Sequence, residues 1–415
     1  MNRPRIVFHK NKQFSNTLYM LGAFIVSLNF GTAFQIVGVN ISHFVAVAFA
    51  LVFIWEEDYL VFNTKQDKRV ILFFLFWLLY AFLQVIEVRN LEYYLTFIEI
   101  LLLNVVIVIS ILFEVSNQLE FIFLIKAATF SVWLNILAAA WEYFTGNIIV
   151  NQTYLFADRH YIAGFIGNFN DFCTFMFFGI ILFAIQLFFA KSIFEKAYCL
   201  AGIIAAIVII LYDGSRGGIY ALICSAVLFP MFLILDSKLI PSRRTKVLIA
   251  IGGIAAVIAI MVIVKKKGIN GALYLLDNSG GGDIQSDIGR FRMIKEALVA
   301  TVDTIGFGVG AGQSIVVCGG INVHNFFVEI LCEYGLVVFL FVVYFAFIIP
   351  LRRNSNLPCF LNAVTQTFAC GFLIASVTSS SINKMRMLWI VLTLLYILKQ
   401  EKQIVFDESK NKWIR

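Results

Sequence analysis

The feature that most constrains this chain is a succession of nearly unbroken apolar runs, each close to the length that crosses a bilayer as a helix. A helix rising about 1.5 Å per residue needs about 20 apolar residues to span the hydrocarbon core. Bounded by charges and turn residues, such runs fall near 17–37, 40–55, 70–88, 94–113, 120–143 and 164–190. A second group falls near 197–211, 217–235, 247–264, 323–349, 359–378 and 385–398. The runs are continuous and do not alternate, so the backbone is expected to satisfy itself within helices and not in a barrel. Composition agrees: of 415 residues 61% are hydrophobic and 14% charged, where a soluble domain carries about 25% charged residues. A soluble enzyme, a disordered chain and a disulfide scaffold are excluded. The net charge of +7 is too small and too dispersed for a nucleic-acid binder. The expectation is an all-α polytopic transmembrane bundle of about twelve spans, one integral membrane domain over 1–415.

Orientation follows from lysine and arginine, which gather on the cytoplasmic side. With the N-terminus inside, the cytoplasmic loops hold Lys65, Lys68 and Arg69, then Lys191 and Lys196, then Lys238, Arg243, Arg244 and Lys246, then Arg352 and Arg353. The short outer loops hold only Arg89, Arg159, Arg216, Lys384 and Arg386. Both termini are therefore expected in the cytoplasm, and the one longer outer loop covers about 265–321. Arg3, Arg5, Lys10 and Lys12 make a basic leader with no small-x-small site after Leu28, so the first span reads as a retained signal-anchor. The seven cysteines contain no CxxC pair, and neither a disulfide framework nor a zinc site is expected.

Polar groups in a bilayer cost free energy, so they either find partners or do work. The densest set falls on the outer face: Arg159 and His160, the DGSRGG segment from Asp213 to Gly218, the long loop, and His324 with Asn325 heading the tenth span. In DGSRGG, Arg216 opens a span between glycines that permit close backbone approach, and a guanidinium there suits a diphosphate. The competing reading is an arginine snorkelling to the interface. In the long loop a short helix is expected after Ser286 or Asp287, either of which can cap it. Phe291, Ile294, Ala297 and Leu298 would share its apolar face, with Arg290 on the edge of that face and Arg292 on the other side. The alternative is an interfacial helix whose arginines bind phospholipid. GFGVGAG, from Gly306 to Gly312, formally matches a dinucleotide fingerprint but follows no strand, and reads better as a flexible or tightly turned loop wall. His324 at a water–membrane boundary is a candidate base, or else a structural hydrogen-bonding residue. Glu329 and Glu333 lie i,i+4 below it, about 7 and 13 Å deeper by helix rise, and must face the bundle interior or a wet cavity, paired with arginine. No HxxH or HxxxH pair exists, so no metal is expected.

Taken together, SRGG (Ser215 to Gly218), the arginine-bearing loop running through IGFGVGAG, and HNFFVEILCEYG (His324 to Gly335) resemble the O-antigen ligase/polymerase superfamily and its Wzy_C region. The spacing of ten residues between His324 and Gly335 matches that family's pattern, and GNFNDFCTF (Gly167 to Phe175) is similar to its Asn-x-Asn helix start, preceded by Arg159. The resemblance covers about 160–380; the first five spans match only in hydropathy. It implies a GT-C-like, inverting, metal-independent glycosyltransferase without a cofactor, acting on undecaprenyl-diphosphate-linked oligosaccharide at the extracytoplasmic face of the bacterial inner membrane. Arg216 and Arg290 would be the diphosphate-binding cations and His324 the general base, Arg290 being chosen over Arg292 on helix geometry. Arg159, Ser215, Arg292, Asn325 and Glu329 are expected around them as substrate-binding residues. Membrane lipids, a flippase and a chain-length regulator are the implied partners.

Within the family a polymerase and a ligase differ in acceptor. A polymerase joins lipid-linked repeats into capsule, O-antigen or teichuronic-type polymer; a ligase moves finished polymer to lipid A or another acceptor. The short outer loop leaves little surface for a second large acceptor and favours the polymerase. A polysaccharide flippase would also have twelve spans, but it predicts ionisable residues in several helices and symmetry between halves. Glu99 is one candidate of that kind; no half-to-half similarity is found.

Overall fold

The computed structural model describes residues 14–30, 33–36, 39–56, 65–150, 162–235, 243–266, 281–377, 385–400, 405–407 and 412–414. Arg159, His160, the basic leader and the centre of the long loop lie outside the described residues. The helices are α1 (Asn16–Leu28), α2 (Ile41–Glu56), α3 (Lys65–Leu83), α4 (Leu91–Glu114), α5 (Gln118–Thr145), α6 (Phe169–Phe189) and α7 (Ile193–Asp213). They continue as α8 (Arg216–Leu235), α9 (Arg243–Lys266), α10 (Gly281–Asp303), α11 (Gln313–Val317), α12 (Phe326–Val343), α13 (Cys359–Ser376) and α14 (Arg386–Lys399). Two short hairpins add the only strands among the described residues, β1 (Gln35–Ile36) with β2 (Val39–Asn40) and β3 (Val405–Asp407) with β4 (Lys412–Ile414).

The all-α polytopic expectation holds. Twelve helices occupy the places of the twelve apolar runs, with α10 and α11 between the ninth and tenth. Eight are long and apolar enough to cross a membrane among the described residues, the longest being α5. The remaining runs give shorter apolar stretches, Asn16–Leu28, Ile41–Trp55 and Val247–Val262, and the 14-residue α14. In the first, Asn29 Nδ2 donates to the Ile25 carbonyl and the helix stops after Leu28. The apolar residues beyond it enter the β1–β2 hairpin, so the run to 37 is not one helix.

The core is built around α6 and α14. Phe172, Phe175, Phe177, Phe178 and Phe183 of α6 are all buried, and α14 is buried on every side from Met387 to Lys399. α6 packs on α5, α7, α8 and α13; α4 packs on α3 and α14. Aromatic side chains fill the interior: Trp77 meets both Tyr334 and Trp389 edge-on, and Phe326 and Phe327 both meet Phe372. Such offset and edge-on pairs add about 0.5–1.5 kcal/mol each beyond burial.

One end of the bundle is tied by polar contacts between distant segments: Ser15 to Glu114, Lys126 to Glu195, Gln400 to Asp67, and Lys399 Nζ to the Arg352 carbonyl and Asn362, both at 2.7 Å. At the opposite end α5 and α7 finish and α4, α6, α8, α12 and α14 begin. This second end holds the candidate site.

Candidate functional site

The site is assembled from the backbone up by a clasp of buried side chains. Gly146, in the left-handed region at φ 69°, closes α5. From the last turn of α5 the Glu142 carboxylate accepts the Ile149 N–H at 3.0 Å and the Ala163 and Gly164 N–H groups at 2.8 Å each. Asp213, the last residue of α7, accepts the Ile162 N–H at 3.0 Å, and Asn135 accepts that of Phe165 at 3.3 Å. Four consecutive amides, at residues 162–165, are thus held by side chains from two helices. They deliver the chain into Asn168, whose side chain caps α6 by accepting the Asn170 and Asp171 N–H groups.

That first turn of α6 is bonded to the SRGG corner. Ser215 Oγ donates to Asn170 Oδ1 at 2.9 Å. Gly214 closes α7 in the left-handed region at φ 71°, letting the chain reverse directly into Arg216 at the start of α8. A Cβ at Gly218 would stand 3.0 Å from that of Cys173 and 2.9 Å from Ile210 Cγ2, so its hydrogen is what lets α8 lie against α6 and α7. The glycines of this motif therefore serve a turn and a close approach, as the sequence suggested.

The α10 helix departs from expectation in start, length and phase. It runs 23 residues from Gly281, already passing through Ser286 and Asp287, so neither caps it. Its buried stripe is Met293 and Ala297, in a small cluster with Cys318, Val323 and Cys332, while Phe291 is 73% and Leu298 41% exposed. The expected apolar face is thus split: Phe291 and Leu298 point away from the protein, while Ala297 is buried and Ile294 packs against the cluster. An amphipathic pattern counts all apolar residues alike and cannot tell a core-facing side from one meant for lipid. Arg290, one turn before Met293, falls on the protein-facing stripe. Arg292 is exposed and pairs with Glu296 at 2.7 Å on the same helix.

His324 adopts φ 57°, in the left-handed region that non-glycine residues avoid. Such a conformation costs about 1–3 kcal/mol and persists only where its surroundings impose it. The imposition is visible on both sides. Val323 is fully buried before it, and Asn325 after it caps α12 by accepting the Val328 N–H at 3.1 Å. Burial and then the nearby Arg290 guanidinium hold the His324 imidazole below its ordinary pKa, while the Asp171 carboxylate opposes them. Neutral imidazole is the form favoured at neutral pH. Arg290 and Asp171 thus both lie within electrostatic reach of His324. Asp171 adjoins Asn170, which joins Ser215 beside Arg216. The structure brings the SRGG corner, the Asn-x-Asn helix start, the α10 arginine and the histidine to one end of the bundle. Arg159 lies outside the described residues.

Glu329 and Glu333 are buried inside the bundle, as their depth demanded. Glu333 accepts the hydroxyl of Ser314 on α11 at 2.6 Å. Below it α12 breaks. Gly335 stands at φ 75°, ψ −175° inside the helix. The GFGVGAG loop fills the break: Val309 N–H donates to the Cys332 carbonyl at 2.8 Å, Gly310 N–H to Glu333 at 3.0 Å, and Leu336 N–H to Gly306 at 2.9 Å. The loop is tightly turned and supplies the backbone partners that a broken membrane helix requires. Gln84 Nε2 donates to both Phe307 and Glu333 carbonyls, and Gln313 brackets residues 89 and 90, tying the loop to the α3–α4 turn.

Three features were not read from the sequence. Asp171 sits in a quoted motif but was passed over for the asparagines around it. The Glu142 clasp gave only the signal of an acidic residue near the end of an apolar run. The break at Gly335 was hidden in a continuous apolar stretch.

Residues 201–343 match the family model Wzy_C, described as O-antigen ligase. That span includes Arg216, Arg290, His324 and the broken helix through Gly335, and it begins after α6. Over 367 residues the chain is 23% identical to the teichuronic acid biosynthesis protein TuaE of Bacillus subtilis (strain 168), an alignment covering 82% of this chain and 74% of that protein. The resemblance drawn from the motifs is thus found by both comparisons.

Proposed function

We propose that this chain is a membrane glycosyltransferase that polymerises undecaprenyl-diphosphate-linked repeat units into a surface polysaccharide of the O-antigen, capsule or teichuronic type. The observation that carries the reading is His324: a strained, largely neutral imidazole within reach of Arg290 and Asp171, at the end of the bundle where Ser215 anchors the Arg216 corner. The family match over these residues and the likeness to a teichuronic acid biosynthesis protein support the same reading.

In this reaction Arg216 and Arg290 hold the diphosphate of the donor lipid. Leaving-group charge developing in an apolar surrounding is met by their fixed cations, an electrostatic stabilisation that needs no reorganisation. The acceptor hydroxyl attacks the anomeric carbon opposite the leaving oxygen. A new carbon–oxygen bond forms as the bond to the diphosphate breaks, with inversion, and the hydroxyl proton passes to His324. The base must begin neutral, which its lowered pKa provides. Ser215, Arg292, Asn325, Glu329 and Arg159 are proposed to line the substrate. The site faces the outside of the cytoplasmic membrane, with both termini inside, and a flippase and a chain-length regulator act beside it.

The family description favours a second reading, a ligase that transfers finished polymer to lipid A or another acceptor. Gel analysis of surface glycan and of carrier-linked intermediates from a deletion strain separates the two. Loss of a polymerase leaves single repeats on the carrier; loss of a ligase leaves long polymer there. Complementation with His324→Ala or Arg216→Ala at normal membrane levels is expected to fail. Full restoration by both variants overturns the catalytic assignment.

A further inference from the structure

At the site end of the bundle Glu99 of α4 lies against His43 of α2 and within electrostatic reach of Arg386 of α14, three ionisable side chains that the reaction above leaves unused. His43 Nε2 lies 2.6 Å from Glu99 Oε1. The other ring nitrogen, Nδ1, lies 3.2 Å from the Asn40 carbonyl oxygen. A carbonyl only accepts, so an Nδ1–H donating to it leaves Nε2 facing the Glu99 carboxylate. Glu99 also interacts electrostatically with Arg386, the first residue of α14, and α4 packs directly on α14. Glu99 lies about 12 Å along α4 from its start by helix rise, close to where a lipid headgroup meets hydrocarbon.

Arg386 carries a positive charge. Its Nε is buried and makes no hydrogen bond among the described residues. A buried donor without a partner costs about 1–3 kcal/mol, and more when charged. A guanidinium offers a fork of N–H groups that can take a phosphate group in two parallel bonds.

Joining one lipid-linked unit to another needs two lipid diphosphates bound at once. The donor's is expelled at Arg216 and Arg290; the acceptor's passes through unchanged and must be held elsewhere. We propose that Arg386 binds the diphosphate of the acceptor lipid, with Glu99 and His43 as positioning residues that aim it. This rests on the polymerase reading, since a ligase acting on a different acceptor has no need of a second lipid-diphosphate site. The sugar hydroxyl of the lipid bound at Arg386 attacks the donor held at Arg216; no bond of the acceptor diphosphate is made or broken.

The test uses the full chain in phosphatidylcholine nanodiscs, titrated calorimetrically with farnesyl diphosphate as a short lipid diphosphate. The wild type is expected to bind two equivalents, Arg386→Gln one, Arg216→Gln one, and the double variant none. Glu99→Gln is expected to weaken the second equivalent about tenfold and leave the first unchanged, while Arg386→Lys retains a weakened second site and so shows that the fold survives. Farnesol is expected not to bind. Inorganic pyrophosphate binding at Arg386 as tightly as farnesyl diphosphate would assign the site to a soluble anion and overturn the acceptor role. One equivalent in the wild type, lost in Arg216→Gln and untouched in Arg386→Gln, overturns the second site and leaves the reaction standing. Unchanged polymerisation by Arg216→Gln and His324→Ala sinks the reaction instead, and the acceptor role of Arg386 with it.

Discussion

Replacing Gly308 by alanine is expected to destabilise the chain through the broken helix. Gly308 stands at φ +85°, where an L residue pays about 1–2 kcal/mol. A Cβ there would lie 2.5 Å from the Glu333 carbonyl oxygen and 2.7 Å from the Glu333 carbonyl carbon and the Gly335 nitrogen. All three are backbone atoms of α12 at its break and have no side-chain rotamer through which to yield. The loop must retreat, and the bonds from Val309 to Cys332 and from Gly310 to Glu333 are then lost, at about 1 kcal/mol each. The sum is about 3–4 kcal/mol. Gly319 provides the control: its φ is +71°, and a Cβ there meets nothing within 4 Å. Gly319→Ala should therefore pay only the backbone cost, about 1–2 kcal/mol. Scaling unfolding entropy with chain length, each kcal/mol lowers the melting temperature by about 1 °C. The assay is the fraction of detergent-solubilised protein that remains monodisperse on size-exclusion chromatography after heating. Gly308→Ala should melt about 2 °C below Gly319→Ala. Equal melting of the two variants refutes the close approach of loop and broken helix.

Glu142→Gln replaces an acceptor of three amides by a side chain with one acceptor oxygen and a donor facing N–H groups. A cost of about 1–3 kcal/mol follows, with a matching fall in polymerisation, read from melting and from glycan length. Because Asp171 raises the His324 pKa and burial with Arg290 lowers it, His324 loses its base function only below the ordinary imidazole range. The rate profile of the wild type should fall on its acid side beneath about pH 6.5. Asp171→Asn should move that fall to still lower pH, and a shift upward contradicts the placement of Asp171. Removing the Asn325 cap by Asn325→Ala should cost about 1 kcal/mol and relax the backbone at His324, seen as reduced turnover with unchanged membrane insertion.

Much of this was legible because bilayer helices must be long, continuous and apolar. The runs at 94–113 and 164–190 became α4 and α6 within a few residues at most of their ends. Hydropathy alone failed where its physics is silent. The run from 17 to 37 joins a helix to a hairpin, since apolar residues at a membrane boundary enter either. On α10 the expected face of Phe291, Ile294, Ala297 and Leu298 is split, with Phe291 and Leu298 outward and Ala297 buried, because apolar surface is as acceptable against lipid as against protein. Arg290 lies one turn before the buried Met293 while Arg292 is exposed, since residues two positions apart on a helix cannot share a face. Gly335 could not be read as a helix break. Its unwound backbone is satisfied by amides some 25 residues earlier in the chain, and no local signal carries a long-range pairing. Asp171 and Glu142 act through backbone amides and a distant imidazole, and their types alone did not set them apart from other acidic residues at helix ends.

The central claim is that Arg216, Arg290 and His324 form one diphosphate-binding, proton-accepting site. An electron cryomicroscopy structure of the full chain in nanodiscs with a bound prenyl diphosphate tests it most directly. The account predicts phosphate density between Arg216 and Arg290, within reach of His324, at the end of the bundle where α6 and α12 begin. Density at the opposite end, beside Lys126 and Lys399, or the two arginines on separate surfaces, would contradict it.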